Sequence, residues 1–473
     1  MADSRSLAQL QGASVTTKGQ WIQGLAVNPA SPASVLTRIL ALDPLPAERS
    51  WLVWRALPQE VAVAAARHPD PKVRRMVMEN PALPADVFAT LAGDGDPAVR
   101  RVSVAMAVEF GVDLPQSALV ALASDTHPRT RYWTAAHPSL PRELRRQLLD
   151  DPSPEVRAGA LNQEIWDELP GGRKAELAAE EHHWIRDRVR ELTQPNRPLP
   201  RTVSQYRAEA DDKRRWAAAR TAAVDRELAQ LLLTSDDPRE RAAAVDNPQV
   251  PLELALRLAD DPDDRVRLRL SLREDLCEAE RSGIPYVVEG RRYHPERWVE
   301  EKYHDPEAMR RAAASSHVLI RRSVARARNL PADVVHLLAN DEDFFVKLAL
   351  CESCDDAPHE LLLEIYAHWH GLSWGYLARR PNFAQPGLVR FVDHPNPRLK
   401  RVVLQDPEAS PELVARLLND PDVRAQAARD PRLPYPLLLG LLNEGGLPTS
   451  AAANPALDPT HMHQLLDLAD VPR

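Results

Sequence analysis

The sequence predicts an all-α chain built as a stacked array of short helical units, and three observations carry that expectation. Turn and apolar residues near the C-terminus recur every 24 residues: Asp406-Pro407, Asp430-Pro431 and Asn454-Pro455 open successive units, and Leu417 maps to Leu441 and Leu465. A fixed period of that size is the signature of a repeat array. Aromatic residues make up only 5% of the chain, and alternating β-type patterning is confined to a stretch around Ile284 to Val288, which leaves helices as the main element. The 43 prolines punctuate expected helix starts, while a hydrophobic fraction of 44% supplies enough Leu, Val and Ala for a continuous core and argues against disorder.

One unit justifies the pattern piece by piece. It reads Asn80-Pro81-Ala82-Leu83-Pro84, then Ala85 to Leu91, then Asp96-Pro97-Ala98-Val99-Arg100-Arg101. Asn80 and Asp96 are expected as N-caps, because their side-chain oxygens accept from free amides of a first helical turn. Pro81 and Pro97 would follow where a missing N–H costs nothing. Val87 and Leu91 share one helix face, and Val99 and Val102 are read the same way on the second segment. Each unit thus presents a stripe that only neighbouring units can cover. Copies recur at Asn28-Pro29, Asp70-Pro71, His137-Pro138, Asn247-Pro248, Asn329-Leu330-Pro331 and Asn396-Pro397.

The Asn/Asp-Pro-x-Leu-Pro opening, the paired Leu and the Asp-Pro-x-Val-Arg step at a 24-residue period resemble the leucine-rich repeat variant proteins of bacteria. That resemblance implies a right-handed superhelical solenoid in which each repeat contributes an α-helix and a shorter 3₁₀-type helix. One founding type carries an iron–sulfur domain with clustered cysteines before its repeats. Here no cysteine precedes Cys277, so that function is not carried over, and no cofactor is expected.

The array divides by motif into a polar tail 1–20, repeats 21–161, an inserted or degenerate helical segment 162–233, repeats 234–275, an aromatic and basic insertion 276–304, and a final array 305–473. In the second interruption, Gly283 to Gly290 reads as a loop or small hairpin and the residues after it as a helix. Insertions project from repeat arrays and often carry binding, and exposed Tyr, Trp and Arg are enriched at interface hot spots. Arg291, Arg292, Tyr293, His294 and Trp298 are therefore the candidate partner-binding residues. The alternative is that Tyr293 and Trp298 only pin the insertion down.

Two further constellations carry chemistry-bearing residues. Arg74, Arg100, Arg131, Arg157, Arg267, Arg310, Lys400 and Arg424 recur at one step of the repeat. They could form a ridge for phosphate backbones, or pair with acids such as Asp70, Asp96, Asp151, Asp261, Asp305 or Asp420 as a ladder between units. The ladder is favoured, because the chain carries a net charge of −8. Cys351, Cys354, His368 and His370 supply zinc-ligand types, but Cys351 sits in an apolar run where a small buried residue is expected. No catalytic motif stands out: neither a phosphate loop nor a nucleophile elbow is present. Three cysteines, a polar N-terminal stretch and no apolar run of spanning length point to a cytoplasmic protein without a membrane segment. The expectation is a non-catalytic scaffold or adaptor for a protein or peptide, with nucleic-acid binding along the Arg ridge as the alternative.

Overall fold

The computed structural model describes residues 10–42, 45, 49–193, 198–288, 290, 294–443 and 446–473. Its elements are helices, and no strand occurs among the described residues. The stretch Ile284 to Val288, with its β-type patterning, forms no strand: Ile284 N turns back onto Arg281 O at 3.2 Å, and Pro285 to Val288 adopt no regular structure. Two compact units divide the chain: Met1–Asn196 with Ser410–Arg473, and Arg197–Ala409.

In the first unit the helices form two rows. Ala33–Leu40, Gln59–Ala66, Ala85–Ala92 and Gln116–Ala123 pack in sequence, and so do Pro71–Val77, Pro97–Phe110, Pro128–Ala136 and Pro154–Ala160. Asp96 caps its helix as expected, accepting from Ala98 N at 2.8 Å and Val99 N at 3.1 Å, with Pro97 at the first helical position. Val87 and Leu91 are buried together. On the second helix the fully buried residues are Val99, Ser103 and Ala107, spaced four apart, with Val104 beside them, whereas Val102 is only half-buried. Gly111 ends that helix in the left-handed region at φ 66°, where a side chain would be strained.

Asn80 does not cap a helix. The following helix starts after Pro84, and Asn80 instead joins neighbouring units: Oδ1 accepts from Ala82 N at 3.0 Å, while Nδ2 donates to Leu52 O and Arg55 O at 2.9 and 2.7 Å. These carbonyls close the preceding unit's short helix, where helix ends lack partners. Asn454 does the same to Ala428 O and Asp430 O at 2.9 and 2.8 Å. Only a residue with a donor can do both, so the equivalent Asp406 and Asp430 accept without reaching those carbonyls: each takes the turn bond, from Glu408 N and Arg432 N, while Asp406 also accepts from Val389 N and Asp430 from the Arg432 guanidinium. His137 substitutes for Asn, accepting from Ser139 N through Nδ1 and meeting Val112 O through Nε2 at 3.1 Å. Burial pushes its imidazole below the ordinary range, which suits this neutral role.

The same bond joins the chain's two ends. Asn28 Nδ2 donates to Ala452 O at 2.9 Å and Asn454 O at 2.8 Å. Helix Val15–Val27, which begins inside the segment read as a polar tail, packs along Pro448–Ala452. Fully buried Trp21 donates its indole N–H to Leu442 O at 2.7 Å. Gly24 permits this approach, since a Cβ there would lie 2.3 Å from Thr449 O and 2.6 Å from the Ala452 methyl. Asn28 thus makes to Ala452 and Asn454 the kind of bond that Asn454 makes to Ala428 and Asp430.

In the second unit, Asp212–Thr221, Pro238–Asp246 and Asp264–Ser271 form a row. Asn247 Nδ2 donates to Ala219 O and Ala222 O. The same bond thus reaches into 162–233, onto carbonyls at the end of helix Asp212–Thr221. Beyond the second interruption, helices from Pro306–Ala313 to His359–His368 bury a core that includes Val324, Leu338, Leu362 and Phe383. Four 3₁₀ helices occur among the described residues, two of them ending a first helix at Leu148–Asp150 and Leu256–Leu258. Most helix pairs are α with α, so the α/3₁₀ alternation implied by the resemblance is seen only in places.

Candidate binding site

The recurrent arginines form rungs. Four residues after the helix cap, Arg74 reaches Asp94 at 2.6 and 2.8 Å, and Arg131 reaches Asp151 at 2.6 and 2.9 Å. Arg100 meets Asp125 at 2.6 Å. Each guanidinium also donates back to a carbonyl six residues earlier, His68 O, Asp94 O or Asp125 O. Arg241 with Asp261 and Arg321 with Asp341 repeat this in the second unit; neither arginine was singled out in the sequence. The acids differ in part from those expected: Asp151 and Asp261 are rung partners, whereas Asp70, Asp96 and Asp305 cap helices. Burial alone would raise the Asp94, Asp151 and Asp261 carboxyls. Bidentate arginines and backbone N–H donors instead hold all three below the usual carboxylate range.

At the second interruption the rung pattern stops. Arg267 meets Pro285 O at 2.8 Å and Asp264 of its own helix rather than an acid in a following unit. Helix Glu278–Ser282 is capped by Cys277, whose Sγ accepts from Glu280 N at 3.5 Å while Glu280 accepts from Cys277 N at 3.0 Å. Buried Arg281 ties the helix to the carbonyls of Ser271, Arg273 and Leu276. Tyr286 stacks on buried His317, with ring centroids 3.9 Å apart and planes within 13°. Further along, helix Arg297–Glu300 forms as expected.

Between these segments and helices Pro306–Ala313 and Val318–Val324 lies a cavity of about 400 Å³. Its floor is apolar, made by buried Leu276, Val299, Met309, Ile320 and Val324, and its charged rim includes Glu274, Lys302 and Arg311. Half-buried Trp298 forms one wall. Its indole N–H donates to Leu272 O at 3.0 Å, and Lys302 Nζ lies 5.6 Å from its ring centroid while pairing with Glu274. Glu278 accepts from Ser315 Oγ, Ser316 N and Ser316 Oγ at 2.8 to 2.9 Å. Those bonds outweigh burial and keep it below the ordinary glutamate range. An ionised, fully engaged carboxylate is poorly placed to act as a base. Arg311 is exposed at the mouth; its guanidinium has no ion-pair partner within 4 Å among the described residues, although its charge helps hold the Asp305 carboxyl down.

Of the residues expected to touch a partner, Trp298 lines this cavity and also pins the segment, while His294 is exposed. Arg291, Arg292 and Tyr293 lie outside the described residues. Met309 and Arg311 were not anticipated; the small residues Ala308, Ala312 and Ala314 around them are the sequence signal for a helix face that leaves space.

The zinc candidates are not brought together. Cys351 and Cys354 are buried, and burial pushes both thiols up. His368 Nδ1 faces Glu364 O of its own helix at 2.7 Å, and His370 Nδ1 accepts from Arg398 at 2.7 Å. Among the described residues, no group of three or more His, Cys, Asp or Glu is arranged to hold a metal ion. Nor is any helix among them long and apolar enough to cross a membrane.

No protein-family model matches the chain, and no curated protein matches it either. The chain is similar to an engineered protein of known crystal structure at 14% identity over 98% of each chain, with a TM-score of 0.16. A score that low carries no inference about fold.

Proposed function

We propose that this chain is a right-handed solenoid of the leucine-rich repeat variant kind that works without catalysis as a cytoplasmic scaffold or adaptor. Its partner is a protein or peptide, and an apolar side chain of that partner enters the Trp298 cavity. The cavity carries the reading: an apolar floor, an aromatic wall and the exposed Arg311 at the mouth suit an apolar anchor followed by an acidic residue. The recurring Asn-to-carbonyl bond between units supports the solenoid. Nucleic-acid binding along the arginine series has less support. Arg74, Arg100, Arg131, Arg157, Arg267 and Arg310 all engage carboxylates.

Peptide display against the purified chain tests the proposal. Enriched peptides should carry a large apolar residue, and Trp298→Ala or the mouth-blocking Ala314→Trp should weaken their binding about tenfold with the helical circular dichroism unchanged. The reading fails if nothing is enriched, or if both variants bind as well as the parent.

A further inference from the structure

A second surface of the Arg197–Ala409 unit shares no lining residue with the Trp298 cavity. Helices Asp212–Thr221, Pro238–Asp246 and Asp264–Ser271 pack side by side, each capped by an aspartate that accepts from the amide two residues on: Asp211 from Lys213, Asp237 from Arg239, and Asp263 from Arg265. The residues at that offset are all cationic, 26 residues apart, and exposed. Three residues further along each helix come Trp216, Ala242 and Leu268, also 26 apart. Between the helices runs a groove of about 320 Å³ lined by Trp216, Arg220, Arg239, Arg265, Leu268 and Arg269.

Charge on this face is unlike that of the rungs. Arg215, Arg241 and Arg267, four residues after the caps, turn inward to the carbonyls of Glu209, Ser235 and Asp261. Along the groove, Asp246 is shared by Arg220 at 3.2 Å and Arg269 at 3.6 Å. Arg265 is held by Asp263 at 2.9 Å. The Arg239 side chain makes no hydrogen bond or ion pair among the described residues. Guanidinium charge therefore exceeds carboxylate charge along the groove walls, on a chain whose net charge is −8. Trp216 is 41% exposed beside it.

We propose that this groove binds an extended acidic peptide segment of a protein partner, with an apolar or aromatic side chain of that peptide resting on Trp216. Packed helices lie about 8–10 Å apart, so the cations at this offset recur at roughly that spacing. An extended peptide rises about 3.3 Å per residue, which places every third side chain about 10 Å along. Carboxylates at every third position thus match the row, in which the Arg239 fork is the one without a side-chain partner among the described residues and Lys213 adds a point charge.

The test is fluorescence anisotropy with a labelled 12-residue peptide carrying Glu at every third position and one central Phe. It should bind the intact chain with an affinity that falls as salt rises. Arg239→Glu should weaken it about tenfold or more, and Trp216→Ala should weaken it less. The first change sits in an exposed first helical turn where an acid is favoured, so the fold is not at risk. Trp298→Ala should leave this binding untouched, which separates it from the cavity proposal. Absence of binding, insensitivity to Arg239→Glu, equal binding of a Lys-for-Glu peptide, or better binding of an oligothymidylate would each overturn the proposal.

Discussion

Two junctions of this molecule invert what chain order suggests. Asn28 and Asn454 are separated by 426 positions, yet they are stacked as consecutive units through the bond that Asn80 and Asn454 make to units just before them. The helices Asp264–Ser271 and Pro306–Ala313 flank a single interruption in the sequence, yet among the described residues no rung links Arg267 to an acid beyond it, and a cavity lies between the segments that follow. Local hydrogen-bonding partners, more than adjacency in the chain, decide which units stack.

Three measurements would sharpen or break this contrast. The largest effect is expected from Leu465→Ala at the joined ends, where the side chain is fully buried. It should cost on the order of 2–5 kcal/mol in denaturant unfolding, whereas Met309→Ala should cost less, because its side chain already borders open volume. Equal losses would mean the two junctions are packed alike. Next comes Gly24→Val, which forces a branched side chain against Thr449 O and Ala452. A loss of about 1–3 kcal/mol is expected, together with faster proteolysis near both termini. Unchanged protection at the C-terminal end would separate the two ends in solution.

The smallest effect is the acid response of the rungs. Asp94, Asp151 and Asp261 titrate below the ordinary carboxylate range when folded, so the unfolded chain takes up their protons first. The stability they contribute is fully present above the unfolded pKa of about 4 and is lost as pH falls through the depressed values. Arg131→Gln should flatten that slope in urea titrations at pH 2–5. Arg267→Gln should change it less, since its partner Asp264 is exposed. Identical slopes would remove the distinction between a rung and an interrupted step.

Much of the fold was legible from residue types. Asp96-Pro97 announced a capped helix because an acceptor followed by proline suits the first turn. Asn80-Pro81 looked the same and behaved differently, because its carboxamide has a donor that finds carbonyls of another unit. The site was half legible. Trp298 stood out as an aromatic in an aromatic-poor chain, but Met309 and Arg311 face the cavity only through the packing of helices that the sequence does not align. Arg100 and Arg239 are both arginines near helix starts. Two residues of offset turn one into a rung and leave the other at the surface.

The sequence by itself determined the helical content, the turn chemistry and the spacing of units, because caps, prolines and apolar periodicity act within a few residues. Tertiary structure alone decided that the two ends meet, that one step of the array lacks its rung, and that a cavity and a basic groove appear in the second unit. Those outcomes depend on which distant donors and acceptors come within about 3 Å of each other, a condition of packing rather than of local propensity.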